Sequence, residues 1–394
     1  MRLFLQEFSS GGGMVQYNPS ASLLVEGFGI LRVLAQNCKR LDIEVVATLD
    51  NRLKFLEQFL DIDEISLIST NDDFIENSLE LLSDCDYFLV VAPGIDGILS
   101  SIIERYQKSS AICLNCDTQA VEFATNKSSV YEKFAKSKIR VPNTIRIKAD
   151  ELPESELLFP LVVKPNDGVD CEGVSFCKNI EQLKDYLNKN QSRDLLIQDY
   201  IVGDNLSILA YVYDKEISIL SVNKQLLSLE FEESEYLGGI SNIKHPLNEK
   251  IRSFGKSVLN EIEGLNGFVG VDLIVSTDEK NANDIYLIEI NPRATTSVCG
   301  LFNQFNPPFN VINSKSSLIS EKLNTCYFAK SKLRFPTNKI IPFDDLFNLH
   351  SIVTPPITFD NEYIYSLVRG FGVNSEMAIA DYNKNLALLS NKLK

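Results

Sequence analysis

Residues 285–293 read IYLIEINPR, and they set an acid inside an apolar run that otherwise has the composition of a buried strand. Seventeen positions before Glu289, Asp272 does the same in GFVGVDLIV (267–275). A lone buried carboxylate is costly to keep ionised unless a cation or hydrogen bonds offset it. Glu289 and Asn291 are two apart, so on an extended strand both point to one face. Three hard oxygen donors on neighbouring strands suit Mg²⁺, which takes few protein ligands and completes its shell with phosphates and water. The two acid-bearing strands therefore predict an Mg-nucleotide site.

Outward from that pair, strands are predicted at 2–8, 44–48, 64–68, 86–91 and 111–114, with helices at 21–39 and 96–106 and a loop at 9–13. This βαβα order predicts a parallel sheet with helices on both faces, in a first domain at 1–117. A second unit, 118–194, holds a helix at 128–137, a strand at 161–164, the loop PNDGVDCEGV (165–174) and a helix at 180–190. In a third, 195–310, a strand at 195–201 leads to a hairpin (207–212 and 216–222, turning at Asp214-Lys215). A helix at 248–262 then precedes the acid-bearing strands. The remainder, 311–394, is polar and loop-rich, with strands predicted at 325–329 and 363–369 and a helix at 375–389; it is expected to complete the third unit.

At 394 residues the chain exceeds one ordinary core. Its composition, 44% hydrophobic and 23% charged, is that of a globular protein, and no apolar run is long enough for a bilayer. The start MRLFLQEFSSGGG lacks the pattern of a signal peptide. A net charge of −15 argues against nucleic acid or an anionic membrane as the main partner. Eight scattered cysteines then read as reduced thiols of a cytoplasmic protein, the Cys113-x-x-Cys116 spacing included, since no second pair accompanies it. With only His245 and His350 present, a histidine base or a histidine-rich metal site is not expected.

Lys164 closes the apolar run FPLVVKP, where an ammonium can face a phosphate as a point charge. The following loop offers backbone N–H groups around Gly168 and Gly173, although a strand-end lysine beside a turn would look the same. LLIQDYIVGDN (195–205) is a strand running into a polar turn, suited to an adenine edge and a ribose. Arg293 sets a guanidinium beside the metal donors, where it can stabilise charge on a transferring phosphoryl group. In the first domain, Glu7 is followed by Phe-Ser-Ser and by Gly11, Gly12 and Gly13, which let a backbone approach a ligand closely.

Taken in this order and spacing, these motifs over residues 118–300 resemble the ATP-grasp superfamily. The resemblance implies an α/β and α+β architecture: an ATP-grasp fold preceded by a Rossmann-like pre-ATP-grasp domain. It further implies Lys127 and Lys164 as the nucleotide lysines, Gly168 and Gly173 in the phosphate loop, and Gln198 and Ile201 at the adenine. Asn205 stands where the family has a ribose-binding Glu, with Asp204 as its substitute. Asp272, Glu289 and Asn291 match the Mg²⁺ ligands, with Mn²⁺ as an alternative, and Arg293 and Lys164 the catalytic cations. Asp170, Cys171 and Glu172 depart from the family's glycines. The stretches 7–13, 24–27 (LVEG) and 92–97 (APGIDG) resemble those of ligases acting on small molecules. They imply that ATP activates a carboxylate as an acyl phosphate for attack by an amine. The expected pair is the γ-carboxyl of glutamate with tyramine, as in methanofuran biosynthesis. Another acid–amine pair, or a non-catalytic nucleotide-binding regulator, is the alternative. Glu7 and Glu26 are candidates to bind or deprotonate the amine, and Tyr236 and Gly239 belong to a second substrate loop. Beyond these small molecules the only partner expected is a second copy, in a homodimer.

Overall fold

The computed structural model describes residues 1–148, 156–168, 171–232, 234–301, 323–335, 341, 343–346, 349–358 and 362–393. Strands β1 (Arg2–Glu7), β2 (Glu44–Asp50), β3 (Glu64–Ile68), β4 (Tyr87–Val91) and β5 (Ile112–Cys113) form a parallel sheet ordered β3-β2-β1-β4-β5. Helix α1 (Ala21–Lys39) starts where the Ser20 side chain accepts from the Leu23 amide. It is buried nearly all round, because the first sheet covers one side and C-terminal strands cover the other. Helices α2 (Asn71–Ser83) and α3 (Ile98–Tyr106) follow. The sequence reading passed over α2, although Thr70 and Asp73 close a capping box at its start.

Two short helices, α4 (Thr118–Thr125) and α5 (Lys127–Phe134), lead into an antiparallel sheet of four strands. These are β6 (Thr144–Lys148), β7 (Leu161–Pro165), β8 (Ser175–Cys177) and β9 (Asp194–Asp199), ordered β6-β9-β7-β8. Helix α6 (Ile180–Lys189) lays Leu183, Tyr186 and Leu187 on this sheet, giving a small core of its own. Since β9 is one of its two inner strands, a division at 194/195 would cut the sheet; the chain leaves it after Asp199.

The third sheet is antiparallel, ordered β14-β13-β10-β11-β12-β15-β17-β16. Its members are β10 (Gly203–Tyr213), β11 (Glu216–Ser228), β12 (Glu235–Ser241), β13 (Gly267–Ser276), β14 (Ile285–Asn291), β15 (Thr325–Arg334), β16 (Ile352–Ile357) and β17 (Tyr363–Gly372). Asp214 and Lys215 both have positive φ (47° and 65°), the turn that joins twisted antiparallel strands with two residues. Helix α7 (Asn248–Asn260) precedes β13, and α8 (Phe343–Leu346) and α9 (Ser375–Leu393) flank the C-terminal strands. One expectation is corrected here. Residues 236–239 are not a loop but part of β12, hydrogen-bonded to β11 on one side and β15 on the other. Two glycines read as a turn in sequence, yet pairing on both sides holds the backbone extended.

Candidate active site

The acid-bearing strands are neighbours, with Asp272 directly opposite Glu289 and Gly270 opposite Asn291. A bulge decides which way Glu289 faces. Leu287 is in the core, and a regular strand would return Glu289 to the same face two residues later. The ladder instead pairs Leu273 with Leu287 and Asp272 with Glu289, leaving Ile288 as the extra residue. Beyond it Ile290 turns inward, while Glu289 and Asn291 share the open face with Asp272. The Asn291 amide lies 3.4 Å from Asp272 Oδ2. Burial, then the Glu289 charge, raises the Asp272 carboxyl well above the usual carboxylate range; a hydrogen bond from Gln225 and the charges of Lys164 and Arg293 pull it back. Two opposed acids and one amide oxygen on a single open face are a donor set that fits a hard divalent cation.

The bulge also frees a carbonyl. Ile288 O accepts from the Tyr131 hydroxyl, and the Lys164 ammonium is 3.4 Å away. Lys164 Nζ donates to the Tyr131 oxygen at 2.8 Å, and that hydroxyl is 3.3 Å from Gln198 Oε1. Burial pushes the Lys164 ammonium below its usual range, opposed by the charges of Glu289 and Asp272. Lys127, at the start of α5, pairs with Glu289 at 3.3 Å and donates to the carbonyl of Gly168. Gly173 has φ of +69°, a backbone that suits glycine at the turn into β8. Cys171 is left-handed as well (φ 61°), and Glu172 is described beside it, while Asp170 lies outside the described residues.

At the junction of the two sheets, Gln198 is engaged at both ends, its Nε2 donating to Thr144 Oγ1 at 2.9 Å. Ile201 is half-buried between β9 and β10, and Asn205 lies on β10 opposite Ile274. Asp204 pairs with Lys224 at 3.2 Å and faces His245 at 3.7 Å.

The first domain reaches this end of the molecule through Glu7. Its carboxylate accepts from Ser9 N (3.1 Å), Ser10 N (2.7 Å) and Ser10 Oγ (2.7 Å), so it shapes the turn that carries Gly11, Gly12 and Gly13. Gly12, at φ +99°, packs on Ile68, and a Cβ at Gly27 would overlap the Glu7 carboxylate. Burial raises the Glu7 carboxyl above its usual range, while Ser10, Ser9 and the Arg293 charge counter it. The contribution of such a group to stability is present at low pH and lost as pH rises through the raised value. The stability of the native chain relative to Glu7→Gln, by urea unfolding at about pH 5 and about pH 8, is therefore expected to fall toward alkaline pH. A flat difference would show that the hydrogen bonds outweigh burial.

Arg293, whose Nη1 donates to Ala294 O at 3.0 Å, acts on both Glu7 and Asp272, so it lies between the first domain and the metal strands. Glu26, from α1, meets Thr296 and Lys330, and Tyr236 and Gly239 sit on β12. The site thus gathers Lys127, Lys164, Asp272, Glu289, Asn291 and Arg293. Sequence reasoning missed Tyr131, Gln225 and Lys330. An aromatic on a short helix reads as core, and two polar residues on strands read as surface. Tyr131→Phe is expected to raise the KM for nucleotide and cut kcat/KM roughly tenfold to a hundredfold, since a stranded buried partner costs about 1–3 kcal/mol. Unchanged steady-state kinetics would remove Tyr131 from the machinery.

Among known families, the model of an ATP-grasp domain matches residues 124–297, and that of a pre-ATP-grasp domain residues 43–121. A tyramine–L-glutamate ligase of Methanocaldococcus jannaschii is 33% identical over 254 residues, 63% of this chain and 70% of that protein. The enzyme of the same name from Methanocaldococcus fervens is 30% identical over 265 residues, 66% of this chain and 78% of its own length. The crystal structure of an L-amino acid ligase from Bacillus licheniformis superposes with a TM-score of 0.65 at 14% identity, over 99% of this chain and 97% of that one; it shares the fold. Among the described residues, no helix is long and apolar enough to cross a membrane.

Proposed function

We propose a function from one premise: this chain belongs to the ATP-grasp family. It is an ATP-dependent carbon–nitrogen ligase acting on small molecules. In our reading it joins the γ-carboxyl of glutamate to the amine of tyramine. The observation that carries the reading is the convergence of Lys127, Lys164 and Arg293 on the Asp272/Glu289/Asn291 strands, in a chain related to tyramine–glutamate ligases. A carboxylate oxygen attacks the γ-phosphorus of ATP, the bond to the β,γ-bridging oxygen breaks, and ADP leaves. The amine nitrogen then attacks the acyl phosphate, phosphate departs with the bonding pair, and the amide forms once the nitrogen loses a proton.

Asp272, Glu289 and Asn291 would hold Mg²⁺, which when bound neutralises phosphate oxygens; Mn²⁺ meets the same donors. The chain's own part is positioning and charge. Lys164, fixed by Tyr131 and Ile288 O, and Lys127, fixed at the Gly168 carbonyl, face the phosphates. Arg293 faces the transferring group from the side of the first domain. Gln198, Ile201, Asp204 and Asn205 line the junction where adenine and ribose bind.

The test is ADP release with Mg-ATP, glutamate and a panel of amines. Turnover that needs both glutamate and tyramine supports the reading. Turnover with glutamate and a different amine overturns the acceptor, and turnover with a different acid overturns the donor.

A further inference from the structure

A cavity of about 420 Å³ lies between α5 and the four-stranded sheet, a volume within the roughly 300–1,000 Å³ of small-molecule sites. Pairing across β7, β9 and β6 sets Lys164, Leu196 and Arg146 in one row on one face of that sheet. Leu196 and Arg146 line the cavity, whereas Lys164, the metal donors and Arg293 lie outside its lining. It is therefore a second site beside the nucleotide cleft. Tyr131 belongs to both, since it lines the cavity and its oxygen accepts from Lys164 at 2.8 Å.

Two hydrogen-bonded routes lead from this lining to the nucleotide and metal groups. Thr144 Oγ1 donates to Pro142 O at 2.8 Å. A carbonyl only accepts, so the Thr144 oxygen must itself accept from Gln198 Nε2, at 2.9 Å. That fixes the Gln198 amide with Oε1 toward the Tyr131 hydroxyl, 3.3 Å away, which also holds Lys164 and the Ile288 carbonyl. The second route is backbone: the Arg140 carbonyl accepts from Leu287 N at 2.8 Å, one residue before the bulge. Pro142, Thr144, Tyr131 and Arg140 all line the cavity, so an occupant touches the outer end of both routes.

We propose that this cavity is an effector site for a small organic anion and that its occupation tightens nucleotide binding. The acidic head meets Arg140 and Arg146, and the apolar body packs on Ala135, Ile139 and Leu196. The inference goes beyond the ligase reading and rests only on its nucleotide-binding part. Charge and donor count select the ligand class. The Arg140 and Arg146 side chains are 59% and 51% exposed, so their guanidiniums reach water at the rim. Arg146 gives Nε and Nη2 to Asp194, at 2.9 and 2.8 Å, and Arg140 Nη2 meets Asp284 at 3.4 Å. Each guanidinium carries five N–H donors, and exposed pairs of this kind hold their geometry weakly. Glu132 is the only acid of the lining, which leaves it net positive in a chain of charge −15. An occupant resting on Thr144 and Tyr131 restrains Gln198 and Lys164 before nucleotide arrives, so less ordering remains for the nucleotide to impose. By linkage the nucleotide tightens the anion by the same factor.

The experiment is calorimetric titration of the full chain with phenylacetate and phenyl phosphate, which carry the two possible acidic heads on one apolar body. Phenylethanol keeps the body without charge, and acetate and inorganic phosphate keep the head without body. At least one of the two aromatic anions is expected to bind with a Kd of about 1 mM or below, and the three controls at least about tenfold more weakly. Whichever anion binds tighter identifies the head. Saturating ADP should lower the Kd of that anion by at least about fivefold, and the anion should raise ADP affinity by the same factor. Ala135→Phe fills the cavity from an exposed position; it should abolish anion binding and leave ADP affinity in its absence unchanged. Arg146→Gln should weaken the anion about tenfold, the scale of one lost charge-assisted hydrogen bond, while Asp194 keeps Asn166 as a partner. Should Ala135→Phe fail to fold, Arg140→Gln takes its place with the same expectation of weakened anion and unchanged ADP. No binding of either aromatic anion, binding that competes with ADP, or binding that these variants leave untouched overturns the site. Anion binding without any change in ADP affinity overturns the effector role. A chain that binds no ADP, with or without the anion, sinks the nucleotide reading and the coupling with it, whereas anion binding lost in Ala135→Phe would still establish the cavity as a site.

Discussion

Glu289→Gln is expected to lower ADP release and amide formation by at least about a thousandfold while leaving the protein folded, the scale on which electrostatic stabilisation of a reaction is lost. The change removes one negative charge and almost no volume. Glu289 is half-buried on the open face of β14, past the bulge, so it supports no core contact that the amide would break. Its loss also frees Lys127 from its ion pair and removes the like charge that raises Asp272. Without cation, then, the variant should be as stable as the native chain or more so, because two opposed acids become one. With Mg-ATP present the order reverses, since a ligand stabilises only the state that binds it. Thermal unfolding with and without Mg-ATP, beside the rate assay, checks both halves. Retained turnover, or a large nucleotide-induced stabilisation of the variant, would refute the assignment of this acid to the cation.

What the sequence disclosed and what it concealed divide along a physical line. Asp272 and Glu289 were legible because an acid in an apolar run is a cost that composition alone makes visible, and their spacing to Asn291 carries over directly to one face of a strand. The parallel first sheet was legible for a similar reason: strand–helix alternation leaves few ways to connect. The bulge at Ile288 was not legible, because register is set by the partner strand. Nor was the pairing of Glu26 with Lys330, which joins α1 to the far side of the third sheet through tertiary packing alone. Tyr131 shows the same limit. Nothing on its helix distinguishes a tyrosine that fills a core from one whose hydroxyl holds Lys164 and a strand carbonyl in place. Residues 236–239 erred in the opposite direction, since local glycine chemistry pointed to a turn and pairing on both edges overrode it.

Lys164→Met is a second change in this site that separates function from stability. Lys164 is buried at the end of β7, and burial depresses its ammonium more than Glu289 and Asp272 support it. For a base the sign is plain. A folded value below the unfolded one means that the charged form is disfavoured in the folded chain, so at neutral pH the charge opposes folding, and the stability it withholds returns only toward the alkaline end. Methionine keeps most of the length and apolar stem and discards the charge. Discarding an ammonium whose charged form burial already disfavours removes that desolvation cost from the folded chain. Two terms work against this gain: Tyr131 loses the donor at 2.8 Å, and the two acids lose a counter-charge. The hydroxyl keeps Ile288 O and Gln198 as partners, and Lys127 and Arg293 remain beside the acids. The net expectation is a free protein unchanged or more stable in urea unfolding at neutral pH. Its kcat should nonetheless be down by about a hundredfold to a thousandfold, because a preorganised cation is absent where phosphate charge develops. Lys164→Arg distinguishes charge from shape. A planar fork cannot occupy the place of a compact ammonium between Tyr131 and the bulge carbonyl, so it should restore little activity and lower stability. A clear destabilisation by methionine, or full activity with arginine, would mean that Lys164 is held in this structure as a packing element and that the phosphate charge is met elsewhere.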